Sequence, residues 1–177
     1  MQTLRGEDAP TLFSLLDTCM TGMGSRMLKG WLLSPQRERA QAQERLAAIA
    51  VLQGSGAWST LREQFKGASD VERITARTAL RQVRPRELVA LRHALERAEG
   101  LAHTLQGLAP PEGTLLARLS RWLTPPPGCA ELLTRSLLEE PAALVRDGGV
   151  IAPGLDAELD ELRAIQTNCD SFLLDLE

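Results

Sequence analysis

An apolar seam in residues 85–106 constrains the fold of this chain more than any other feature. Leu and Ala recur there at alternating spacings of three and four, at Leu88, Leu91, Leu95, Ala98, Ala102 and Leu105. This spacing places the six side chains on one face of an α helix. Pro85 suits the first turn, because its ring pre-sets a helical φ and its missing N–H is not needed there. We therefore predict a long helix over 85–106 that packs against another helix.

Composition predicts helices in the rest of the chain as well. Aromatic residues make up only 3% of the 177 residues and tyrosine is absent, while Leu, Ala, Arg and Glu, which favour helices over sheets, dominate. We expect an all-α, multi-helix core domain over 1–177, with short helices in 10–66, packed helices in 69–139 and a long helix over 154–177. The predicted helices before the last one cover 10–19, 23–33, 35–54, 69–83, 85–106, 110–123 and 128–139.

Capping signals predict where two of these helices begin. Ser34 and Pro35 suit the N-cap and first position of the helix over 35–54. Ser69 and Glu72 have the spacing of a capping box at the start of the helix over 69–83. The 35–54 helix is expected to turn three apolar side chains inward, namely Leu46, Ile49 and Leu52.

Residues 144–151 are the one stretch that predicts strand structure. Val145 and the pair Val150 and Ile151 flank the sequence DGG, which includes Gly148 and Gly149 and suits a tight turn. We expect at most one tiny β-hairpin here. Gly148 and Gly149 would then form the turn that leads into the last helix.

The last helix carries a heptad seam that has no evident partner. Its members are Leu155, Leu159, Leu162, Gln166, Cys169, Leu173 and Leu176. An apolar seam at this spacing is typical of a helix packed against a second helix. Because the seam continues to the C-terminus, we expect either a partner helix elsewhere in a longer parent protein or self-association, and the first is favoured.

Charge and cysteine content exclude several classes of protein. The net charge is −3 and the pI is about 5.5, so no global basic surface predicts nucleic-acid binding. Cys19, Cys129 and Cys169 are odd in number and far apart, which fits reduced thiols better than disulfides or a zinc site. No apolar run is long enough to cross a bilayer, and no signal peptide is evident. We expect a cytoplasmic protein with no membrane partner.

No catalytic centre or metal site emerges from the sequence. His93 and His103 are ten residues apart on one predicted helix, so they lie on different faces. Ser25 follows glycines in GMGSR, but the pattern lacks the preceding strand and the Gly-Lys ending of a phosphate loop. The acidic group of the last helix suits a helix N-terminus and comprises Asp156, Glu158, Asp160 and Glu161. We predict no enzyme activity and no cofactor for these residues.

Arginines recur at steps of four, four and three and are predicted to follow one helical stripe. They are Arg73, Arg77, Arg81 and Arg84. Such a stripe could contact phosphates, since each guanidinium can bind one bidentately. The favoured alternative is an ion-pair network with Asp70, Glu72, Glu87 or a neighbouring helix. Both interpretations stay open on sequence alone.

Three blocks of the sequence resemble the core domain of MutS-type DNA mismatch-repair proteins. The first comprises TLFSLLD at 11–17 and TGMGSRMLKGWLLSP at 21–35, the second DVERITAR at 70–77 with RPREL at 84–88, and the third RDGGVIAPGLDAELDELR at 146–163. They occur in the family's order over nearly the whole chain. Leu155 departs from the tyrosine that is usual in the family.

The resemblance implies a mechanical role within a larger protein. The mismatch-reading, connector, clamp and ATPase domains of the family are absent, as are a Phe-x-Glu motif and a Walker motif. The segment would couple a DNA-dependent ATPase, with its ATP and Mg²⁺, to the clamp, and its last helix would be the lever. Asp70, Glu72, Arg73 and Arg77 would hold helices together through a charge network.

The same resemblance implies the partners. They would be the clamp and ATPase domains of the parent, a second parent subunit, mismatched duplex DNA and repair factors such as MutL, in a bacterial cytoplasm. The alternative from a different class is a free-standing helical adaptor that forms a homodimer through its heptad seam.

Overall fold

The computed structural model describes residues 10–174, with side chains described for 10–166 and 168. This part of the chain is all-α, as predicted, and holds a short 3₁₀ helix at Val145–Asp147. The α helices are α1 Leu12–Leu16, α2 Gly22–Leu33, α3 Ala40–Ser55, α4 Ala57–Gln64, α5 Val71–Ala79, α6 Pro85–Gln106, α7 Leu115–Trp122, α8 Cys129–Ser136 and α9 Ala157–Leu174.

Helix α6 is the centre of the fold, and its predicted bounds are confirmed. Pro85 begins the helix, and Glu87 Oε2 accepts the backbone N–H of Arg84 at 2.8 Å. Ala102 and Leu105 of the predicted seam are buried, and the other four members are partly buried. Helices α4, α5, α7 and α8 all pack against α6.

Two apolar clusters share α6, one at each end. Near its C-terminal end, Leu101 and Leu105 pack with Leu61 of α4 and Leu116 of α7. Near its N-terminal end, Val89 packs with residues that follow α8, namely Leu137 and Val150. Because both clusters include α6, the position of one cluster determines the position of the other.

The predicted start of α3 is wrong, and of its three predicted inward residues only Leu52 packs inward. Ser34 ends α2, its N–H donating to Gly30 O, and α3 begins at Ala40 without a side-chain cap. Ala48 and Leu52 pack into the cluster around Leu61, whereas Leu46 is 65% exposed and Ile49 is also exposed. The neighbouring helix α4 determines which face of α3 is covered.

The N-cap of α5 lies one residue later than predicted, and the helix begins at Val71, two residues after the predicted start. Asp70, not Ser69, is the N-cap, and its Oδ1 accepts the Arg73 backbone N–H at 3.2 Å. The helix ends at Ala79, and Arg81 has a positive φ of 55°. The helix over 69–83 is therefore shorter than predicted, and the four arginines do not form one helical stripe.

The predicted hairpin at 144–151 is wrong. Val145 lies in the 3₁₀ helix, and Ile151 instead forms an isolated antiparallel bridge with Leu137. Gly148 and Gly149 do make a turn, with φ values of 72° and 60°. This turn leads the chain back to the end of α8, where Val150 becomes buried in the apolar cluster around Val89. Burial of Val150 favours this pairing over a local hairpin.

Helix α9 begins three residues after the predicted start. Asp156 Oδ1 accepts the backbone N–H groups of Glu158 and Leu159 at 3.0 and 3.1 Å, and so caps the helix. Leu162 is 58% exposed, so this part of the predicted seam is uncovered. The seam positions Cys169, Leu173 and Leu176 lie outside the side chains that the structure describes. None of the helices described here is long and apolar enough to cross a membrane.

We expect Gly100→Ala to stabilise the protein. Gly100 lies inside α6, and an added Cβ would meet only the Gln64 side chain, at 3.9 Å. Alanine removes the entropic cost of a helical glycine, worth about 0.5–1 kcal/mol, so Tm should rise by roughly 1–4 °C. Calorimetry would check this, and a lower Tm would mean that the space beside Gln64 is tighter than described.

Candidate functional site

The candidate site is the set of contacts that join α6 to the segment before α9. Arg92 of α6 is only 3% exposed, and its Nη2 lies 2.6 Å from Glu139 Oε2. Arg92 Nε lies 4.0 Å from Glu96 Oε1, one helical turn away. Arg86 Nε donates to Pro141 O at 3.1 Å. Two arginines of α6 therefore hold residues 139–141 in place.

A third arginine connects this segment to α9. Arg163 Nη2 donates to Ile151 O at 2.9 Å, and Nη1 to Asp160 Oδ1 at 3.2 Å. Ile151 forms an antiparallel bridge with Leu137, which lies two residues before Glu139. An unbroken series of contacts thus connects α6, through residues 137–151, to the first turns of α9.

Asp70 and Glu72 bind an arginine that the sequence analysis did not assign to them. Arg26 of α2 contacts Asp70 bidentately at 2.7 and 2.8 Å and reaches Glu72 Oε2 at 2.8 Å. These hydrogen bonds from Arg26 lower the pKa of Asp70 below its ordinary value. Asp70 therefore caps α5 and binds α2 at the same time, which links two helices far apart in sequence.

Glu87 joins the ends of α5 and α6. Its side chain accepts the Arg84 backbone N–H and forms an ion pair with Arg77. The Arg84 N–H, followed by the Arg77 guanidinium, lowers the pKa of Glu87. Glu87 was one of the ion-pair partners predicted for the arginines. Its two contacts hold the start of α6 next to α5.

The side chains of the other predicted site residues take no part in the ion pairs described above. Arg73 is exposed and contributes its backbone N–H to Asp70. Arg81 and Arg84 lie in the turn between α5 and α6 with exposed side chains. Gly148 and Gly149 form a turn well before α9. The predicted charge network therefore exists with different members, and the proposed phosphate stripe does not line one helix.

Sequence reasoning assigned no ion pair to Arg26 and Arg92, whose carboxylate contacts join separate elements. Arg92 did carry a signal, because it lies next to Leu91 and one turn after Leu88 on a face predicted to be covered. A charged residue there calls for a buried partner. Arg26 carried no such signal, since its partners lie 44 and 46 residues away.

The groups considered for chemistry have local structural partners. Ser25 Oγ donates to Asp17 Oδ1 at 3.0 Å inside the α1–α2 unit. His93 is exposed, with Nε2 3.4 Å from Glu139 Oε1. Within the described part of the chain, no three His, Cys, Asp or Glu side chains are grouped as metal ligands would be.

An apolar groove lies between α3 and the loop that leads into α7. Its volume is about 570 Å³, and its lining is mainly apolar, with Val51 and Leu108 among the residues. Glu44 at its edge forms an ion pair with Arg118 at 2.6 Å. The geometry of these groups suits packing rather than proton or group transfer.

Glu139→Ala should destabilise the protein more than Glu140→Ala. The first change leaves the buried Arg92 guanidinium with the distant Glu96 carboxylate and with the His93 ring, whose Nε2 lies 3.3 Å from Arg92 Nη2. This loss of the Glu139 carboxylate should cost about 1–2 kcal/mol and lower Tm by roughly 2–8 °C. Glu140 is exposed and has no ion pair among the described residues, so its variant should stay within about 0.5 kcal/mol. Equal effects in thermal melts would show that the Arg92 contact is not stabilising.

We expect Glu87→Gln to change the pH dependence of stability. Since the folded-state pKa of Glu87 lies below its usual 4.5, its stabilisation is present above that pH and is lost as the pH falls through the folded-state pKa. The wild type should exceed the variant by about 1 kcal/mol at neutral pH, and the difference should close below pH 4.5. Urea unfolding across this range would measure it; a difference that grows in acid would contradict the assignment.

Comparison with known families is consistent with this arrangement of helices. The model of the family described as MutS domain III matches residues 1–176. The match covers nearly the whole chain and includes all three sequence blocks that carry the resemblance. The family is one of DNA mismatch repair, and domain III is its helical, non-catalytic core segment. The chain therefore belongs to the MutS domain III family of mismatch-repair proteins.

Proposed function

We propose that this domain transmits motion between an ATPase domain and a DNA clamp of its parent protein. In this proposal ATP and Mg²⁺ bind to the ATPase domain, and α9 is the lever that leads towards the clamp. The domain itself performs no chemical step. It transmits motion because a packed helix moves as a rigid body, so that a displacement of one end also displaces the other end.

The observation that carries the proposal is the shared use of α6 by both apolar clusters. The helix has 22 residues and is therefore about 33 Å long. Leu101 and Leu105 anchor its C-terminal end, and Val89 anchors its N-terminal end. Movement of the helices around Leu101 must therefore displace the segment around Val150 or break one of the two clusters.

The arginine contacts support the next step, from α6 to α9. Arg92 holds Glu139, Ile151 bridges Leu137, and Arg163 binds Ile151 O. These contacts are directional, so they favour transmission of rotation as well as translation. Mismatched DNA, a second parent subunit and MutL-type factors would act on the parent and reach this domain through its neighbours.

Breaking α6 between its two clusters should uncouple the parent protein. Glu96 lies between Val89 and Leu101 with an exposed side chain, and Glu96→Pro removes a helical hydrogen bond at a cost of about 3 kcal/mol. In a full-length MutS-family protein with this domain, we expect ATP hydrolysis and DNA binding to persist while ATP no longer changes the DNA affinity. The measurement is duplex anisotropy with and without ATP.

Two further variants control for loss of folding. Glu96→Gly weakens the helix by about 1 kcal/mol and should give partial uncoupling, whereas Gly100→Ala strengthens it and should leave coupling intact. Circular dichroism reports whether each variant remains helical. If Glu96→Pro is folded and its DNA affinity still responds fully to ATP, transmission through α6 is rejected.

A second candidate function rests on the uncovered seam of α9. Leu162 of the seam is 58% exposed, and Ile165 beside the seam is 53% exposed, so two large apolar side chains lie next to each other on one exposed side of α9. In the lever proposal another helix of the parent covers this seam. In the alternative, the chain is a free-standing adaptor and a second copy covers it.

Light scattering over a range of concentrations should distinguish these functions. A lever without its partner helix should associate weakly, so the average mass should rise gradually with concentration. Leu162→Glu should abolish that rise, and Glu161→Gln, at a neighbouring exposed position, should not. A single dimer mass at every concentration, lost in Leu162→Glu, would favour the adaptor instead.

A further inference from the structure

Helices α1 and α2 form one unit that is tied together internally. Asp17 Oδ1 accepts hydrogen bonds from Ser25 Oγ at 3.0 Å and from the Cys19 N–H at 3.2 Å. Thr21 caps α2 through the Gly24 N–H. These contacts lie entirely within residues 11–33, which we call the N-terminal arm.

The arm buries little apolar surface against the rest of the protein. Neither α1 nor α2 contains a buried residue. Met27 and Leu33 are more than half exposed, and Trp31 is exposed as well. Near the turn between α1 and α2, Cys19 and Met20 line an open cleft together with Leu61 of α4. Apolar burial therefore contributes less to the attachment of the arm than to the attachment of α6.

Three arginine contacts make most of the specific connections between the arm and the body formed by α3–α8. Arg26 of the arm binds Asp70 and Glu72. From the body, Arg62 Nη1 donates to Thr18 O at 2.9 Å. The Arg45 guanidinium lies 3.8 Å from the centre of a Trp31 ring. Contacts of this kind are weakened by salt, whereas apolar burial is not.

The connection between the arm and the body is irregular in structure. Residues 34–39, between α2 and α3, contain no helix or strand. Arg26 is 52% exposed and Glu72 is 65% exposed, so water can replace their contact. Asp70 would continue to cap α5 after losing Arg26, because the two roles use different donors.

We propose that residues 11–33 open from the helical body as a unit about residues 34–39, with the contact of Arg26 to Asp70 and Glu72 as the latch. Opening leaves α2 supported only by α1, which has five residues, and a helix of 12 residues with so little support is only marginally stable in water. The amides of α2 then exchange with solvent while those of α6 stay protected. This inference does not depend on the proposed lever function.

Hydrogen exchange measured by mass spectrometry on the whole chain tests the latch. Arg26→Ala should raise the exchange rate of residues 22–33 about fivefold and that of 85–106 less than twofold. The matched control is Arg135→Ala, because Arg135 is an exposed helical arginine with no ion pair among the described residues. It should change neither rate. Glu72→Gln removes one of the contacts, keeps the Asp70 cap, and should give a smaller rise in 22–33.

Salt provides a second and independent readout. Raising the salt concentration from about 0.05 M to about 0.5 M shortens the screening length severalfold, so exchange of 22–33 should accelerate in the wild type and respond less in Arg26→Ala. An equal rise in α2 and α6 on loss of Arg26 would mean that the arm is not a separate unit. No change in α2, or the same salt response in both proteins, would mean that Arg26 is not the latch. If Arg26→Ala does not fold, Glu72→Gln and the salt series decide between these outcomes.

Discussion

Burial of α6 at both of its ends is the constraint on which the rest of the structure depends. Leu101 and Leu105 hold one end among α4 and α7, and Val89 holds the other against Leu137 and Val150. Each cluster contains only a few buried side chains and packs against one end of α6. Both clusters are therefore needed to bury the whole helix. The stability of the fold and the stiffness that the proposed lever function requires therefore arise from the same packing.

Arginine ion pairs add connections between elements to those that apolar packing makes. Arg92 is buried on α6 and holds the segment after α8 through Glu139, whereas Arg26 is exposed and holds α2 through Asp70 and Glu72. Glu139 is 74% exposed and Asp70 is 28% exposed, so water and salt reach both ion pairs. The pairs differ in the surroundings of the arginine: the buried Arg92 guanidinium is costly to leave unpaired, whereas water can hydrate the exposed Arg26 guanidinium.

The sequence-based predictions were correct for features that neighbouring residues specify and wrong for features that residues distant in sequence decide. The bounds of α6 were correct because Pro85 and an apolar repeat specify them locally. The start of α3 was wrong, and only Leu52 of its predicted inward residues packs inward, since the cluster around Leu61 of α4 takes up Ala48 and Leu52. The hairpin at 144–151 was wrong for a related reason: the turn at Gly148 and Gly149 was recognised, but its strand partner lies at the end of α8.

By itself, the sequence determined the helical class, the central helix and the family, because residue usage, an apolar period and local motifs are properties of neighbouring residues. Only the tertiary structure decided which charges meet. Arg26 reaches carboxylates 44 and 46 residues away, and Arg92 reaches one 47 residues away. No local periodicity encodes such distances, since they depend on how the helices pack once both apolar clusters have formed.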